Sequence, residues 1–267
     1  MSTRLRMLPV TPPPMHAETI GSYLNRLADA NRLPVQFLSI LLGHNRHHRR
    51  DDNRTNHWTP ETLLRLSSLT GRTPAELSHA IPALAVISEL ADGTLRAVSD
   101  QADEILRRPA CRRCMARRGV HGLVVRNIPP HEAVCRRHHR WLLGDEQYRL
   151  HALPEVRQAN RRHRRLTRRT RAPSLTRHYT VARDFLMDCL RTGEPSDLRQ
   201  CWNNRIDLLG DDPHGDPLRP TPFRIELATY PETIRLTAMI GSPHWSANQD
   251  FRQEAARQLG INSYESR

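Results

Sequence analysis

The sequence predicts a mainly α-helical protein in three parts: an N-terminal helix-turn-helix-like helical domain, a small zinc-ribbon or zinc-finger module, and a C-terminal helical domain. Apolar residues recur at helical spacing along much of the chain, interrupted by 20 prolines and 12 glycines. Two pairs of soft metal ligands lie near the middle of the chain. Aromatic residues are only 5% of the 267 residues, so we expect small cores rich in Leu, Ala and Val.

We expect the domain boundaries to give residues 1–100, 101–150 and 151–267, and the last domain to begin with a basic segment. Residues 1–15 form an extended arm that ends in Pro12-Pro13-Pro14, because a helix interior does not tolerate three consecutive prolines.

Two helices are predicted after the arm. Over 18–31, an apolar stripe has helical spacing and consists of Ile20, Leu24, Leu27 and Ala28. A second helix begins at Pro34 and ends at Gly43. Its predicted apolar face consists of Phe37, Leu38, Leu41 and Leu42.

A helix-turn-helix is predicted next. Thr59-Pro60 opens a helix that stops before Gly71, and Thr73-Pro74-Ala75-Glu76 forms a capping box for a short helix over 74–81. One interpretation places this short helix in a DNA major groove, with Glu76, Ser78 and His79 as its polar groups. The other interpretation is an ordinary corner between two helices that does not recognise DNA bases.

The remaining segments are assigned by composition and periodicity. We expect a mobile polar loop over 44–57, a connector over 82–99, a short helix over 100–108 and a Pro/Gly/Asp linker over 210–222. Further helices are predicted over the ranges 174–191, 196–209, 223–240 and 248–259.

The middle of the chain carries a metal-binding pattern. Cys111-Arg-Arg-Cys114 and Cys135-Arg-Arg-His138 are separated by 20 residues, so three thiolates and one imidazole can complete a tetrahedral shell around one Zn²⁺. His139 is an alternative to His138 as the fourth ligand. Four protein ligands leave no position for water, which predicts a structural ion. Cys189 and Cys201 lie outside this pattern and are expected to be buried thiols or bystanders, not ligands.

The charge of the chain points to nucleic acid. The net charge is +13, and all 41 basic residues are Arg. From Glu194 onward there are 11 acids and 8 arginines, so the basic excess lies in the first two-thirds. The arginines predicted to contact phosphates flank the metal ligands or lie in the run 161–171: Arg112, Arg113, Arg117, Arg118, Arg136, Arg137, Arg161, Arg162, Arg164, Arg165, Arg168 and Arg169.

Other function classes find little support. There is no apolar run long enough for a membrane span and no apolar stretch typical of a signal peptide at the N-terminus. No phosphate-binding glycine loop or nucleophile elbow occurs. A zinc-supported nuclease remains an alternative because of His131 and the His138-His139 pair, but the segment lacks a paired arrangement for a second divalent ion. We therefore expect no enzymatic activity.

Three segments together resemble the TniQ family. Glu18-Thr19 followed by Ser22-Tyr-Leu-Asn-Arg26-Leu-Ala resembles the family's opening segment, with Thr19 and Tyr23 where Ser and Trp are usual. The ligand pairs, with Trp141-Leu142-Leu143 after the second, are similar to the family's zinc segment, although Arg112 replaces a common proline. The tail contains Ser242-Pro243-His244-Trp245, which is typical of part of the family.

The resemblance implies a targeting adaptor in transposition. Members of the family combine helix-turn-helix and zinc-finger elements, often form homodimers, and connect a target-site recogniser to a AAA+ regulator without transposase chemistry of their own. The partners expected for this chain are therefore DNA, a AAA+ ATPase, a transposase and a second copy, in the cytoplasm at the nucleoid. The chain has one complete zinc pattern where larger relatives have two. A zinc-containing helix-turn-helix transcription regulator is the alternative.

Overall fold

The computed structural model describes residues 5–43, 58–85, 106–142, 147–170, 172–192, 196–210 and 220–246, together with Glu254, Ala255, Arg257 and Leu259. The chain divides into two compact units. Unit 1 is Met1–Asp100 with Leu106–Ile128, and unit 2 is Gln101–Ile105 with Pro129–Arg267. Residues 101–150, predicted to form the zinc module, are shared between these units. The division into three domains stays a prediction.

Four helices form most of the described part of unit 1: α1 (Ile20–Ala30), α2 (Val35–Leu41), α3 (Pro60–Thr70) and α4 (Pro74–Ala80). Leu27, Leu38, Leu66 and Leu77 are fully buried where these helices pack together. Threonine hydroxyls cap α1, α3 and α4. The Thr19 side chain, for example, accepts a hydrogen bond from the Ser22 backbone N–H, which is one of the donors that a helix start leaves unpaired. All four predicted helices are confirmed. The loop predicted over 44–57 lies outside the described residues.

The turn between α3 and α4 has the predicted chemistry. Gly71 ends α3 with φ of 66°, a left-handed conformation that favours glycine. The capping box is complete, because the Thr73 hydroxyl accepts from the Glu76 N–H and the Glu76 carboxylate accepts from the Thr73 N–H. The pKa of Glu76 is lowered, mainly because its carboxylate accepts hydrogen bonds from the Thr73 N–H and from the Thr73 hydroxyl. The helix-turn-helix-like pair is thus fixed by local interactions.

The predicted apolar face of α2 is wrong in one residue. Leu38 and Leu42 are buried and Leu41 packs against them, but Phe37 is 46% exposed. Ile40 is 43% exposed beside it. Five of the seven residues of α2 are apolar, so the spacing of apolar residues alone does not decide which of them face the core.

A second prediction, the helix over 100–108, is wrong where the structure describes it. Residues Leu106–Pro109 form strand β1, which pairs antiparallel with β2 (Val125–Ile128), Leu106 opposite Ile128 and Pro109 opposite Val125. Proline disfavours helical backbone in the residue before it, here Arg108. The pairing partner is distant in sequence, so local periodicity gave no sign of it. Residues 101–105 lie outside the described residues.

A buried carboxylate organises the arm and the start of α1. Glu18 has no solvent exposure. It accepts hydrogen bonds from the Met15 N–H at 2.8 Å, the Ser22 hydroxyl at 2.9 Å and the Arg26 guanidinium at 2.7 Å. Arg26 is 7% exposed and also donates to the carbonyl of Pro13 at 2.9 Å. The ion pair therefore holds the proline arm against α1 with its hydrogen-bonding groups satisfied.

The same segment joins the helices of unit 1 to the β-ribbon. The Val125 N–H donates to the Ser22 hydroxyl at 2.9 Å, and the Thr19 N–H donates to the Val125 carbonyl at 2.9 Å. The Asn127 N–H donates to the carbonyl of Ala17 at 2.7 Å. Residues before α1 thus lie against β2 as a short backbone ladder.

Unit 2 is helical. After the short helix α5 (Arg112–Ala116) of unit 1, its helices are α6 (Pro154–Arg169), α7 (Ala172–Thr192), α8 (Ser196–Asp207), α9 (Pro222–Ile240) and α10 (Pro243–Ser246). Helix α9 is central and packs against α6, α7 and α8. Its buried Leu227, Tyr230 and Ile234 share a core with Trp141 and Val156. The predicted helices over 174–191, 196–209 and 223–240 are confirmed, and most of 210–222 and 248–259 lies outside the described residues.

Helix α6 contains most of the basic run that composition alone left as a charged segment. Pro154 occupies its first turn with Glu155, and Arg168 and Arg169 lie in its last turn, as the helix dipole favours. Its buried side is partly polar, since Asn160 and His163 lie with Val156 and Ala159. Among the described residues, none of the helices combines the length and apolar character needed to cross a bilayer.

We expect Glu18→Ala to destabilise the protein strongly, because it leaves the buried Arg26 guanidinium without its carboxylate. Breaking a buried pair from one side costs about 3–5 kcal/mol. Glu61→Ala is the matched control: it removes a carboxylate 2.6 Å from Arg65 in an exposed pair, where the cost is below about 1 kcal/mol. Urea denaturation of both variants measures the difference, and equal midpoints would contradict the role assigned to Glu18.

Candidate metal centre and nucleic-acid interface

The first ligand pair lies where β1 gives way to α5. Cys111 precedes the helix as its cap, and the Met115 N–H donates to the Cys111 carbonyl at 3.0 Å. Cys114 follows within the same helical turn, so the two sulfurs lie on one side of the backbone. Cys111 is buried and Cys114 is half-buried, whereas the intervening Arg112 and Arg113 are exposed.

The second ligand pair lies in a tight turn. The Cys135 N–H donates to the Arg140 carbonyl at 2.8 Å, and the His139 N–H donates to the Cys135 carbonyl at 2.9 Å. His139 closes the turn with φ of 48°, in the left-handed region. The Sγ of Cys135 and the Nδ1 of His138 are 3.7 Å apart, so both ligand atoms point to the same side of the turn.

The four predicted ligands form one group. The ligand atoms of Cys111, Cys114, Cys135 and His138 all lie within 4.8 Å of one another. Tetrahedral coordination with metal–sulfur bonds near 2.3 Å and metal–nitrogen bonds near 2.0–2.1 Å separates ligand atoms by roughly 3.5–3.8 Å. The group includes His138 and not His139, and it could bind one metal ion.

The other two cysteines lie apart from this group. Cys189 packs partly buried against an apolar cluster on α7, and Cys201 lies half-buried on α8. Burial is the main reason that the pKa of each thiol is raised. A raised pKa disfavours the thiolate that a metal would require.

The arginines near the ligands are solvent-facing, as the sequence predicts. All six are exposed: Arg112, Arg113, Arg117, Arg118, Arg136 and Arg137. Exposed side chains at these positions can reach a polyanion, and the Nη1 of Arg118 also donates to the Sδ of Met15 at 3.4 Å. Their contact with nucleic acid stays a prediction.

The six predicted arginines of α6 fall into two sets. Arg164 is half-buried and Arg168 is exposed, and both lie outside the groove between α6 and α9. The other four line that groove, which has a volume of about 700 Å³: Arg161, Arg162, Arg165 and Arg169. Arg235 of α9 lines it too. Sequence reasoning missed Arg235 because it is isolated in a near-neutral part of the chain, and only the packing of α9 against α6 brings it to the others.

Helix α4 offers few groups that could read bases. Glu76 is held by Thr73, and the Ser78 hydroxyl donates to the carbonyl of Leu84 at 3.3 Å. His79 is exposed, with its ring 6.2 Å from that of His16. Only one of the three polar groups named from the sequence is therefore both exposed and uncommitted to a local hydrogen bond.

His131, which motivated the nuclease alternative, packs into unit 2. Its backbone carbonyl accepts from the Asn160 side chain at 3.0 Å, and its ring lies 5.9 Å from that of the buried His163. The pKa of His131 is lowered, mainly because the ring is half-buried. The imidazole thus lies beside a polar core cluster.

The sequence was compared with known protein families, curated proteins and solved structures. No curated protein and no solved structure matches the chain. The family model described as TniQ matches residues 9–181. This range includes residues 9–15 of the arm, the helix-turn-helix-like pair, all four metal ligands and α6, and it is more than half of the chain. The chain therefore belongs to the TniQ family.

Proposed function

We propose that this protein is a DNA-binding adaptor in the selection of transposition target sites, which links DNA to a AAA+ regulator and performs no chemistry itself. The observation that carries the proposal is the set of exposed arginines beside a four-ligand metal group in a chain of the TniQ family. Exposed guanidiniums bind phosphates well, because they are permanently charged and donate several hydrogen bonds in one plane.

The metal ion in this proposal is zinc. Three thiolates and one imidazole form a soft ligand set that favours Zn²⁺ over Mg²⁺ or Ca²⁺. Four protein ligands would fill its tetrahedral shell and leave no position for an activated water. The ion would hold the two ligand turns in place, and the arginines beside each ligand would take their positions from it.

Phosphate contacts are assigned to eight arginines: Arg112, Arg113, Arg117, Arg118, Arg136, Arg137, Arg164 and Arg168. Such contacts supply affinity and orientation but little choice of sequence. The few free polar groups on α4 support weak intrinsic specificity, so the adaptor would depend on a partner to choose the site.

We expect binding to unrelated DNA duplexes to fall steeply with salt. If about six phosphates are neutralised, a plot of log K against log salt has a slope near −5. Replacing Arg136 and Arg137 together by Gln should make the slope less steep by about two, whereas Arg199→Gln, an exposed arginine of α8, should leave it unchanged. Fluorescence anisotropy at several salt concentrations gives both values. A flat salt response of the wild-type protein would overturn the phosphate assignment.

We expect the purified protein to contain about one zinc per chain and Cys114→Ser to lose it. We expect the variant to have a free energy of unfolding lower by about 3 kcal/mol, which is a modest part of the roughly 10–16 kcal/mol that binding of a structural zinc contributes. A decrease of about 3 kcal/mol corresponds to a fall in Tm of roughly 6–12 °C for a chain of this size.

Elemental analysis and thermal unfolding measure the two effects of Cys114→Ser. Cys201→Ser is the matched control, because Cys201 lies outside the ligand group, and it should retain both the metal and most of the stability. A Cys114→Ser protein with unchanged metal content and Tm would refute the assignment.

A further inference from the structure

The groove between α6 and α9 has walls of arginine and an apolar floor. Four guanidinium side chains come from three successive turns of α6, and Arg235 comes from α9. Leu166, Ile234 and Ala238 line the groove between them. Its lining on α6 runs from Pro154 to Arg169, a length of about 22 Å at the rise of an α-helix. The surface is therefore long and concave, and it combines positive charge with apolar side chains.

Carboxylates offset only part of the charge of the arginine wall among the described residues: the Nη1 of Arg235 lies 4.0 Å from the Oε1 of Glu232. Arg161, Arg165 and Arg169 are spaced four residues apart on one side of α6, where like charges repel each other. In the part of the chain that the structure describes, none of the four groove arginines of α6 forms an ion pair. The acid in the lining, Glu155, lies 3.2 Å from Arg205. An occupant with several negative charges would relieve this repulsion.

The floor argues for a protein segment as the occupant. Single-stranded nucleic acids bind in basic grooves by stacking their bases on aromatic side chains, and the lining of this groove includes no aromatic residue. A duplex carries its phosphates on a convex surface, so it could touch only the rim. Leu and Ile side chains of a peptide, in contrast, would bury the apolar surface of Leu166 and Ala238.

We propose that this groove binds an acidic amphipathic helix of the adaptor's protein partner. Apolar side chains of the helix, spaced at i, i+3, i+4 and i+7, lie on the floor. Its carboxylates form charge-assisted hydrogen bonds with the guanidiniums of α6 and with Arg235. This inference rests on the proposed adaptor function, because that function requires a protein partner and the inference names the kind of partner segment that would bind.

The test uses the full-length protein and a fluorescein-labelled peptide of about 16 residues, a length that matches the groove. The peptide contains Glu, Leu and Ala, with Leu at the four spacings given above, and a scrambled peptide has the same composition. We expect the amphipathic peptide to bind at least about tenfold more tightly than the scrambled one, as measured by fluorescence anisotropy.

Two variants examine the two sides of the groove. Ala238→Gln fills the floor without a change in charge, and Arg165→Gln removes one exposed guanidinium of the wall. Each should weaken peptide binding by about tenfold or more, whereas the control Arg199→Gln should change it less than about twofold. Circular dichroism shows whether each variant is folded, and Arg165→Gln keeps the test valid if Ala238→Gln does not fold.

Three results would overturn the proposal: equal binding of both peptides, unchanged binding by Ala238→Gln, or displacement of the peptide by a single-stranded oligonucleotide at an equal or lower concentration. Retention of duplex affinity by Ala238→Gln would support it. If the wild-type protein binds the amphipathic peptide but no duplex, the groove assignment stands and the proposed DNA-binding function fails.

Discussion

The arrangement of unit 1 depends on one buried carboxylate. Glu18 has no contact with water, and an ionised carboxylate in such a place needs a cation and several donors. Arg26 supplies the cation, while Met15 and Ser22 supply donors. Because Ser22 also accepts from the Val125 N–H, one group of side chains fixes the arm, α1 and the β-ribbon. The family's opening segment can thus be understood as a set of hydrogen-bonding partners at helical spacing.

The features that the sequence predicted well are those decided by neighbouring residues. The helices of unit 1, the capping box of Thr73 and Glu76, and the two ligand pairs depend on spacings of three or four residues. Strand β1 was mistaken for a helix because its partner, β2, begins 16 residues after it ends. Phe37 does not reach the core that the spacing of apolar residues predicts for it. Five of the seven residues of α2 are apolar, so their spacing alone does not decide which of them face inward. Arg235 became visible as a site residue only through tertiary packing.

Arginine has two different uses in this chain. Arg26 and Arg205 are buried beside Glu18 and Glu232 and stabilise packing. The arginines beside the metal ligands are exposed to solvent. The sequence alone does not separate buried from exposed arginines, because all 41 basic residues are Arg and none is Lys. Burial and the nearness of a carboxylate separate them.

The polar cluster under α6 fixes the rotation of that helix about its axis. Asn160 donates to the Tyr230 hydroxyl at 3.1 Å, and the Nδ1 of His163 lies 2.9 Å from the same oxygen. An aliphatic interface tolerates a helix that slides by one turn of about 5.4 Å, but hydrogen bonds to a single hydroxyl do not. The hydrogen bonds to Tyr230 therefore fix the position of α6 along and around its axis. They determine which of its seven arginines face α9 and which face outward.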